Sequence, residues 1–560
     1  MYIRVKTTPN SPRKSIQIVE SIRVGDKVKQ KIVHHVGIAL DEAEEQKLKD
    51  YGLELITKIT LQRQKESGQL SLFETSASDI IAHQKNKPGR PSRKRIEDIL
   101  PPSQVTLDDI VEEKRIIEGV HDIAGAMFDE MYQSLFKGKR TYHLLRDVVL
   151  SRLVYPCSKR RTQEKLVKHF GKNHSLEMIY WMMDKVFPKI DKIKQMTFEK
   201  TKALFPEKVD LILFDVTTLY FESVEVDELR NYGYSKDHRF NTTQVVLALA
   251  TNQDGLPVGY ELFEGNKAEV STLAAAIQSW KKLFKIDSVC FVGDRAMFSK
   301  NNIALLESLN YHYIIAAKLK ALPEKLKADV LNEKYYNPTI LNNEFAWVGE
   351  FEYQGQRLIT SYKSRRAMKD LKDRQRVLEK LNKTIGKKGN PRKLITNQGV
   401  KKFITVDDNS VATLDEEKID VAAQWDGLHG IITNIKDDSA ASLIARYARL
   451  WVIEESFRVN KHTLEMRPIY HWAPPRIHAH IAICYMTFSI LRHLQYRINL
   501  TQKISIDTIL DELMNTEASI YIHKKTKDRY RVPGNYSNDA RKIYKAFDLE
   551  RSLDATVYLP

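Results

Sequence analysis

Residues 211–220 read LILFDVTTLY: four apolar residues lead directly into Asp215, and two threonines and a tyrosine follow it. A continuous apolar run of this kind is typical of a β-strand that is buried on both faces. The stretch therefore predicts a strand that carries a carboxylate to its end. A single aspartate at such a place is also typical of a turn or a helix cap, so this stretch alone leaves its role open.

The residues that follow predict a mixed α/β sheet with a second aspartate in a matching position. A β-hairpin is followed by a helix (267–284), a strand that ends at Asp294, a helix (300–310) and another strand (311–319). Sites in open α/β sheets form beyond the carboxyl ends of strands, so we expect Asp215 and Asp294 to lie side by side. A hard divalent cation such as Mg²⁺ relieves the repulsion between two neighbouring carboxylates.

A third carboxylate is expected from a helix over residues 439–462, which contains the neighbouring pair Glu454 and Glu455. Four side chains lie within about 40° of Glu454 around this helix, namely Tyr447, Leu450, Arg458 and Lys461. Glu455 belongs to a different and also rather apolar face. Periodicity alone does not choose between the two glutamates, and both could be solvated residues of a plain amphipathic helix.

These segments resemble the DDE transposases of bacterial insertion sequences. In the relevant superfamily the last acid lies in a Y-x2-R-x3-E-x6-K signature, which this chain matches at Tyr447, Glu454 and Lys461. It departs at the arginine, where Leu450 stands; Arg449 or Arg446 could substitute, and Arg458 adds positive charge on the side of the acid. The segments GDRAMFSKNN (293–302) and EMRPIYHWAPPRIHAHI (465–481) resemble the same relatives, and the resemblance covers about 200–500.

The resemblance implies an α/β fold with a ribonuclease H-like mixed sheet core and a β-rich insertion domain before the last acid. It implies a transposase that binds insertion-sequence ends and catalyses DNA strand cleavage and strand transfer, with Asp215, Asp294 and Glu454 holding two Mg²⁺ (or Mn²⁺) ions. Tyr447 and Lys461 are expected to touch the DNA backbone near the cut. The alternatives are a metal-dependent nuclease of the same fold and a DNA-binding descendant without catalysis.

Further DNA contacts are predicted outside the three acids. Trp347 of the insertion is a candidate for stacking on a flipped base, although packing within a β-hairpin is the plainer interpretation. The basic residues of the insertion that could bind phosphate, or form a merely solvated charge run, are Arg365, Arg366, Lys387 and Lys388. Arg90 lies in GRPSRKR (89–95), which resembles an AT-hook but is also typical of a basic solubilising linker.

The composition favours a polyanionic partner. The chain of 560 residues has 89 Lys and Arg against 72 Asp and Glu, a net charge of +17. Its three cysteines lie far apart in sequence, which predicts neither a zinc motif nor a disulfide framework. The N-terminus lacks an apolar leader, and the run at 479–491 is too short to span a bilayer. We expect double-stranded DNA (terminal inverted repeats and target) as partner, a homodimer on paired ends, no membrane and a bacterial cytoplasmic location.

Six regions are predicted along the chain. They are a small N-terminal α+β module (1–60), a basic flexible linker (61–105), a helical DNA-binding domain (106–205), the catalytic core (206–321 and 436–500), the β-rich insertion (322–435) and a C-terminal tail (501–560). The first helix of the third region is expected over 106–136. Its second part is expected to present a basic face built from Lys159, Arg160, Arg161, Lys165 and Lys168.

Overall fold

The structure is a computed structural model in which the chain forms two compact units, Met1–Arg95 and Ile96–Pro560. It describes residues 2–7, 14–24, 27–39, scattered positions between 41 and 56, 99–205, 211–222, 225–233, 241–285, 289–341, 343–385, 403–406 and 412–559.

The first unit contains a three-stranded antiparallel sheet in the order β1-β2-β3. Its strands are β1 (Tyr2–Thr7), β2 (Lys14–Val24) and β3 (Lys27–Ala39). Ile16 and Ile18 of β2 are fully buried, so the middle strand supplies the apolar face of this sheet.

The second unit is built around one large mixed sheet. The strands of this unit are β4 (Ile110–Ile117), β5 (Leu211–Tyr220), β6 (Gln244–Thr251), β7 (Pro257–Glu264), β8 (Cys290–Gly293), β9 (His312–Ala316), β10 (Tyr336–Leu341), β11 (Glu344–Tyr353), β12 (Gln356–Tyr362), β13 (Ile404–Val406), β14 (Ala412–Leu414), β15 (Leu428–Thr433), β16 (Glu517–His523), β17 (Arg529–Pro533) and β18 (Thr556–Val557). Nine of them pair in the order β10-β11-β12-β15-β9-β8-β5-β6-β7. Within this sheet β5, β8 and β9 run parallel, and all other neighbours run antiparallel.

Helices of the second unit flank this sheet and form the region before it. They are α1 (Gly125–Tyr132), α2 (Lys139–Val154), α3 (Lys159–Phe170), α4 (Leu176–Val186), α5 (Ile190–Ala203), α6 (Glu269–Phe284), α7 (Lys300–Ser308), α8 (Glu324–Val330), α9 (Ser364–Ile385), α10 (Glu416–Ala423), α11 (Ala440–Ala448), α12 (Trp451–Arg458), α13 (Pro474–Asn499), α14 (Ile506–Asn515) and α15 (Asn538–Ala546). None of the helices in the described ranges is both long and apolar enough to cross a bilayer.

Alternate residues of β5 belong to two separate hydrophobic cores, because successive side chains of a strand point to opposite faces. Leu213 and Leu219 belong to the core that includes α11, α12 and α13. Ile212 and Phe214 belong to the core on the other face, where Phe214 meets the ring of Trp280 from α6. The central strand is therefore buried on both sides, as its continuous apolar run predicts.

The predicted helix over 106–136 is wrong in its first part, because Ile110–Ile117 is strand β4. This strand pairs antiparallel with β16, about 400 residues later in the chain, in the four-stranded sheet β18-β17-β16-β4. The sequence IVEEKRII, with four charged residues between two apolar pairs, is compatible with either structure. Pairing with a distant strand decides the outcome, and local sequence does not contain that information.

The predicted single helix over 439–462 is divided. α11 ends at Ala448 and α12 begins at Trp451, and a π-helical turn (Val459–Thr463) follows α12. Ser439 caps α11, because its hydroxyl accepts a hydrogen bond from the Ser442 backbone N–H.

Strands of the predicted insertion extend the same sheet that contains β5. β12 pairs with β15, and β15 pairs with β9, so β10–β12 continue the sheet beyond its parallel part. The ribonuclease H-like assignment and the boundaries of the six regions stay predictions.

The C-terminal segment is held to β4 through a buried charge cluster, which leads to a stability prediction. The Arg551 guanidinium donates to Glu118 Oε2 (2.9 Å) and to the Glu517 carbonyl (2.6 Å). Arg551→Ala removes one donor from the partly buried Glu517 carbonyl and one of the two guanidinium groups that pair with Glu118, so we expect the free energy of unfolding to fall by about 1–3 kcal/mol. Urea unfolding followed by circular dichroism measures this change. The exposed Arg541→Ala serves as the control, and an equal loss in both variants would contradict the role of the cluster.

Candidate active site

The parallel register of β5 and β8 places the two predicted aspartates in neighbouring positions. The last paired residues are Phe214 of β5 and Gly293 of β8, so Asp215 and Asp294 are the next residue along each chain. Neighbouring strands lie about 4.8 Å apart, so both residues leave the sheet from one small area.

Asp215 does not end its strand, so that part of the prediction is wrong. LILFDVTTLY is one continuous strand of 10 residues, and β6 pairs with it as far as Tyr220. Asp294 does follow its strand directly, as predicted. Asp215 is instead the point at which β5 loses its β8 neighbour, and this opening leaves its carboxylate half-exposed in an otherwise buried strand.

Both aspartates lie on the face of the sheet that α11 and α12 cover. Asp215 shares a face with Leu213, two residues earlier, and Leu213 packs in the same core as Val292 and Ile453. Asp294 keeps extended backbone angles (φ −67°, ψ 143°), so it shares the face of Val292. α11 packs on β8 and β9, and α12 packs on β5 and β6.

The two glutamates of α12 have different surroundings. Glu454 is exposed. Glu455 is half-buried, and its carboxylate lies 3.6 Å from the guanidinium of Arg492, a buried residue of α13 that also donates to Ser456 Oγ (3.4 Å). Glu455 therefore has a structural partner, whereas Glu454 stands at the surface.

The Tyr447 phenol lies within electrostatic reach of two of the predicted acids. Burial raises the pKa of its phenol, and the negative charges of Asp294 and Glu454 raise it further, with Arg366 opposing them. The ring of Tyr447 also meets the His429 ring of β15, with centroids 5.2 Å apart. Asp294 and Glu454 therefore lie close enough to Tyr447 for both charges to act on its phenol.

His429 and Arg366 also lie in this region. The sequence did not predict that either residue would lie near Tyr447. Burial, with a contribution from Arg366, lowers the pKa of His429 to about 4, so this imidazole is neutral at pH 7. No motif signals such a neighbour, because the contact depends on how β15 pairs with β12, where Ser361 faces His429.

The first turns of α9, which carry Arg366, are fixed against the turn before β15. The Gly427 N–H donates to Asp370 Oδ2 (3.0 Å), and Arg374 forms an ion pair with Asp426 (2.6 Å). Gly427 has φ +80°, and an added Cβ there would lie 2.7 Å from the Tyr362 ring, so glycine is required for this close approach. Arg366 is an exposed cation 3.8 Å from the same Asp370 carboxylate, and its charge acts on Tyr447.

The other basic residues of the predicted signature region lie in or next to α12. Arg449 lies in the break between α11 and α12, and its positive charge acts on Asp254 in the β6–β7 turn, whose pKa burial raises and Arg449 lowers. Arg458 is exposed at the end of α12, and Lys461 is half-buried in the π-helical turn. Arg449 therefore faces the hairpin turn, and the structure gives no contact that joins it to the predicted acids.

Trp347 stands on β11 opposite Tyr362 of β12, and 40% of its surface is exposed. Its ring meets Phe345 edge-on at 5.6 Å. Together with Tyr336 and Asp426 it lines a cavity of about 410 Å³. The side chain is thus both a packing residue and part of a concave surface.

Arg90, Lys387 and Lys388 lie outside the described residues. Lys159 does not belong to a solvated basic face, because it is only 3% exposed and its amine lies 3.2 Å from His480 Nδ1. Burial, with Arg152 adding to it, lowers the pKa of Lys159 to about 7. The exposed cations of α3 are Arg160, Arg161 and Lys168.

The chemistry of the three acids fits a hard divalent cation, since carboxylate oxygens are the ligands that Mg²⁺ and Mn²⁺ prefer. Asp215 and Asp294 project from one area, and Glu454 and Asp294 both act on Tyr447. In the part of the chain that the structure describes, no three His, Cys, Asp or Glu side chains are already gathered as a metal-binding group.

The family model for the transposase DDE domain matches residues 207–489, slightly more than half of the chain. The chain belongs to the DDE transposase family. The matched range of this DDE domain contains all three predicted acids and every strand of the nine-stranded sheet.

Solved transposase structures are similar to this DDE transposase only distantly. One is a cryo-EM structure of the piggyBac transposase synaptic complex with hairpin DNA, at 8% identity and a TM-score of 0.35, covering 71% of this chain and 77% of the other. Another is the Mos1 transposase paired-end complex with the left transposon end, at 12% identity and a TM-score of 0.15, covering 32% and 57%. No curated protein matches the chain.

The contrasting environments of the two glutamates predict opposite effects of substitution. Glu455→Gln weakens the partner of the buried Arg492 and should lower the free energy of unfolding by about 1–3 kcal/mol. Glu454→Gln changes an exposed side chain and should leave stability within about 0.5 kcal/mol. Urea unfolding of the two variants measures both values. A larger loss for Glu454→Gln than for Glu455→Gln would contradict the assignment of the two faces.

Proposed function

We propose that the chain is a transposase that cleaves DNA at the ends of its own insertion sequence and transfers the cut strands to a target. The observation that carries this proposal is the register of β5 and β8, which puts Asp215 and Asp294 beside each other on the face covered by the helix of Glu454. Two isolated carboxylates at such a distance repel one another, and a shared cation offsets that cost.

Asp215, Asp294 and Glu454 would hold two Mg²⁺ or Mn²⁺ ions. When bound, such ions supply charge stabilisation to the phosphoryl transfer and a more acidic water or 3′-hydroxyl nucleophile. The strand order β7-β6-β5-β8-β9, with a hairpin before two parallel crossovers, supports a ribonuclease H-like core for this chemistry.

The residues around the acids would bind and orient the DNA backbone. Arg366 is held by the docked α9 and would contact a phosphate next to the reacting one. Tyr447 keeps its proton at neutral pH, because burial and two carboxylates raise its pKa, so its hydroxyl can donate to a phosphate oxygen. Lys461 and Arg458 would add positive charge along the same helical segment, and Trp347 would stack on a flipped base at the insertion.

The partners of this reaction would be the terminal inverted repeats and a target duplex. The excess of positive charge supports a DNA partner. Pairing of two ends favours a homodimer on DNA, acting in the bacterial cytoplasm. A nuclease that cuts without joining has the same three acids, so the joining step is what distinguishes the two functions.

A cleavage and integration assay tests the proposal. The DNA that flanks the gene on both sides, incubated with protein, Mg²⁺ and a supercoiled plasmid, should be cut at the element ends and inserted into the plasmid. Asp215→Asn, Asp294→Asn and Glu454→Gln should each lower the cleavage rate roughly 100-fold or more, because charge stabilisation by the ions is worth several kcal/mol.

Glu455→Gln is the matched control and should keep most of the cleavage rate. Cutting without insertion would support the nuclease instead. Binding of the ends without any cutting by the wild type, together with unchanged binding by Asp215→Asn, would leave only a DNA-binding descendant.

A further inference from the structure

Two neighbouring aromatic side chains stand exposed on the segment between the π-helical turn and α13. Burial alternates along this segment: Ile469 is 2% exposed, Tyr470 54%, His471 8% and Trp472 66%. Large aromatic residues are usually well buried. Two exposed aromatic side chains close together are therefore typical of an interaction site. Among the described residues, neither Tyr470 nor Trp472 makes a hydrogen bond, an ion pair or a ring contact.

The backbone below these two rings is firmly anchored. The Ile469 N–H donates to the Tyr220 carbonyl at the end of β5 (3.1 Å), and Ile469 bridges to Phe221. The His471 ring lies against the rings of Tyr180 (6.1 Å) and His480 (5.3 Å). Because the backbone is fixed by its inward residues, a ligand that binds the two outward rings has to order little of the chain, which lowers the conformational entropy cost of binding.

The spacing of the outward residues suits nucleotide bases. Residues two apart in an extended segment lie about 6.6 Å from each other. This distance is roughly twice the 3.4 Å spacing of stacked bases, so a base fits between the two rings or one base fits on each. Tyr and Trp rings are the side chains on which unpaired bases stack without regard to sequence.

The charge around the segment suits a DNA strand. No Asp or Glu occurs in the sequence between Glu465 and Asp507. The Arg467 guanidinium lies over the Tyr220 ring (5.4 Å), and the Arg476 guanidinium lies over Tyr180 (4.9 Å) and pairs with Asp184. Arginines therefore flank the two exposed rings in the sequence, and cations near stacked bases suit a sugar-phosphate backbone.

We propose that Tyr470 and Trp472 form a stacking platform for unpaired bases of a DNA strand that leaves the active site. β5 connects the two places, since Tyr220 lies five residues beyond Asp215, about 17 Å along the strand. The proposal rests on the DNA partner of the proposed function, but it concerns single-stranded DNA and needs no cleavage. A second copy of this chain is the alternative occupant of the two rings.

Fluorescence anisotropy without metal ions tests the platform. The probes are a blunt duplex and the same duplex with an overhang of about eight thymidines. Wild type should bind the overhang duplex more tightly than the blunt one, and the double variant Tyr470→Ser/Trp472→Ser should lose about tenfold in affinity for the overhang duplex only, as stacking on aromatic residues contributes that much or more per base. Trp472→Phe, tested as a single change, should retain most of the affinity.

The control is Tyr335→Ser, which removes another exposed ring and should change neither affinity. An unchanged preference for the overhang in the double variant would overturn the platform while leaving the proposed function intact. A changed sedimentation of the DNA-free double variant, with its DNA affinities unaltered, would assign the rings to a contact between copies and also overturn it. Wild type that binds neither probe would count against the DNA partner itself.

Discussion

The parallel pairing of β5 with β8 is the constraint on which the site depends. The pairing ends at Phe214 and Gly293, and the two residues that come next are both aspartates. A shift of one residue in this register would move one carboxylate to the opposite face of the sheet, away from α11 and α12. The apolar residues of β5 and β8 prevent that shift, because they alternate between the two cores and a shifted strand would exchange them.

The surroundings of the acids divide the charged residues into a set that is paired or buried in the core and a set that has access to solvent. Glu455 has its cation in the core, and Lys159 is buried beside His480, so both belong to the packing of the helices. Asp215, Asp294 and Glu454 have access to solvent on one side of the sheet, and Arg366 and Tyr447 stand next to them. This division follows from burial and pairing, since a charge that is already neutralised in the core has little to offer a phosphate or a metal.

The sequence allowed most of the central strands and helices to be predicted, because long apolar runs and amphipathic periods carry that information locally. It placed Asp294 correctly at the end of β8 but ended β5 too early at Asp215, since VTTLY after the aspartate is as suited to a strand as LILF before it. The strand at Ile110–Ile117 depends on pairing with a strand some 400 residues away. The break between α11 and α12 contains no glycine or proline that would have predicted it. The contact of His429 with Tyr447 is a result of sheet pairing and had no local signal.

The central claim is that Asp215, Asp294 and Glu454 share metal ions. Anomalous diffraction from crystals of the protein with end DNA and Mn²⁺ tests it most directly. We expect two anomalous peaks within about 2.0–2.3 Å of carboxylate oxygens of Asp215 and Asp294, with Glu454 ligating at least one of them. Well-ordered Mn²⁺ bound elsewhere, with the three carboxylates free of metal in the presence of bound DNA, would contradict it.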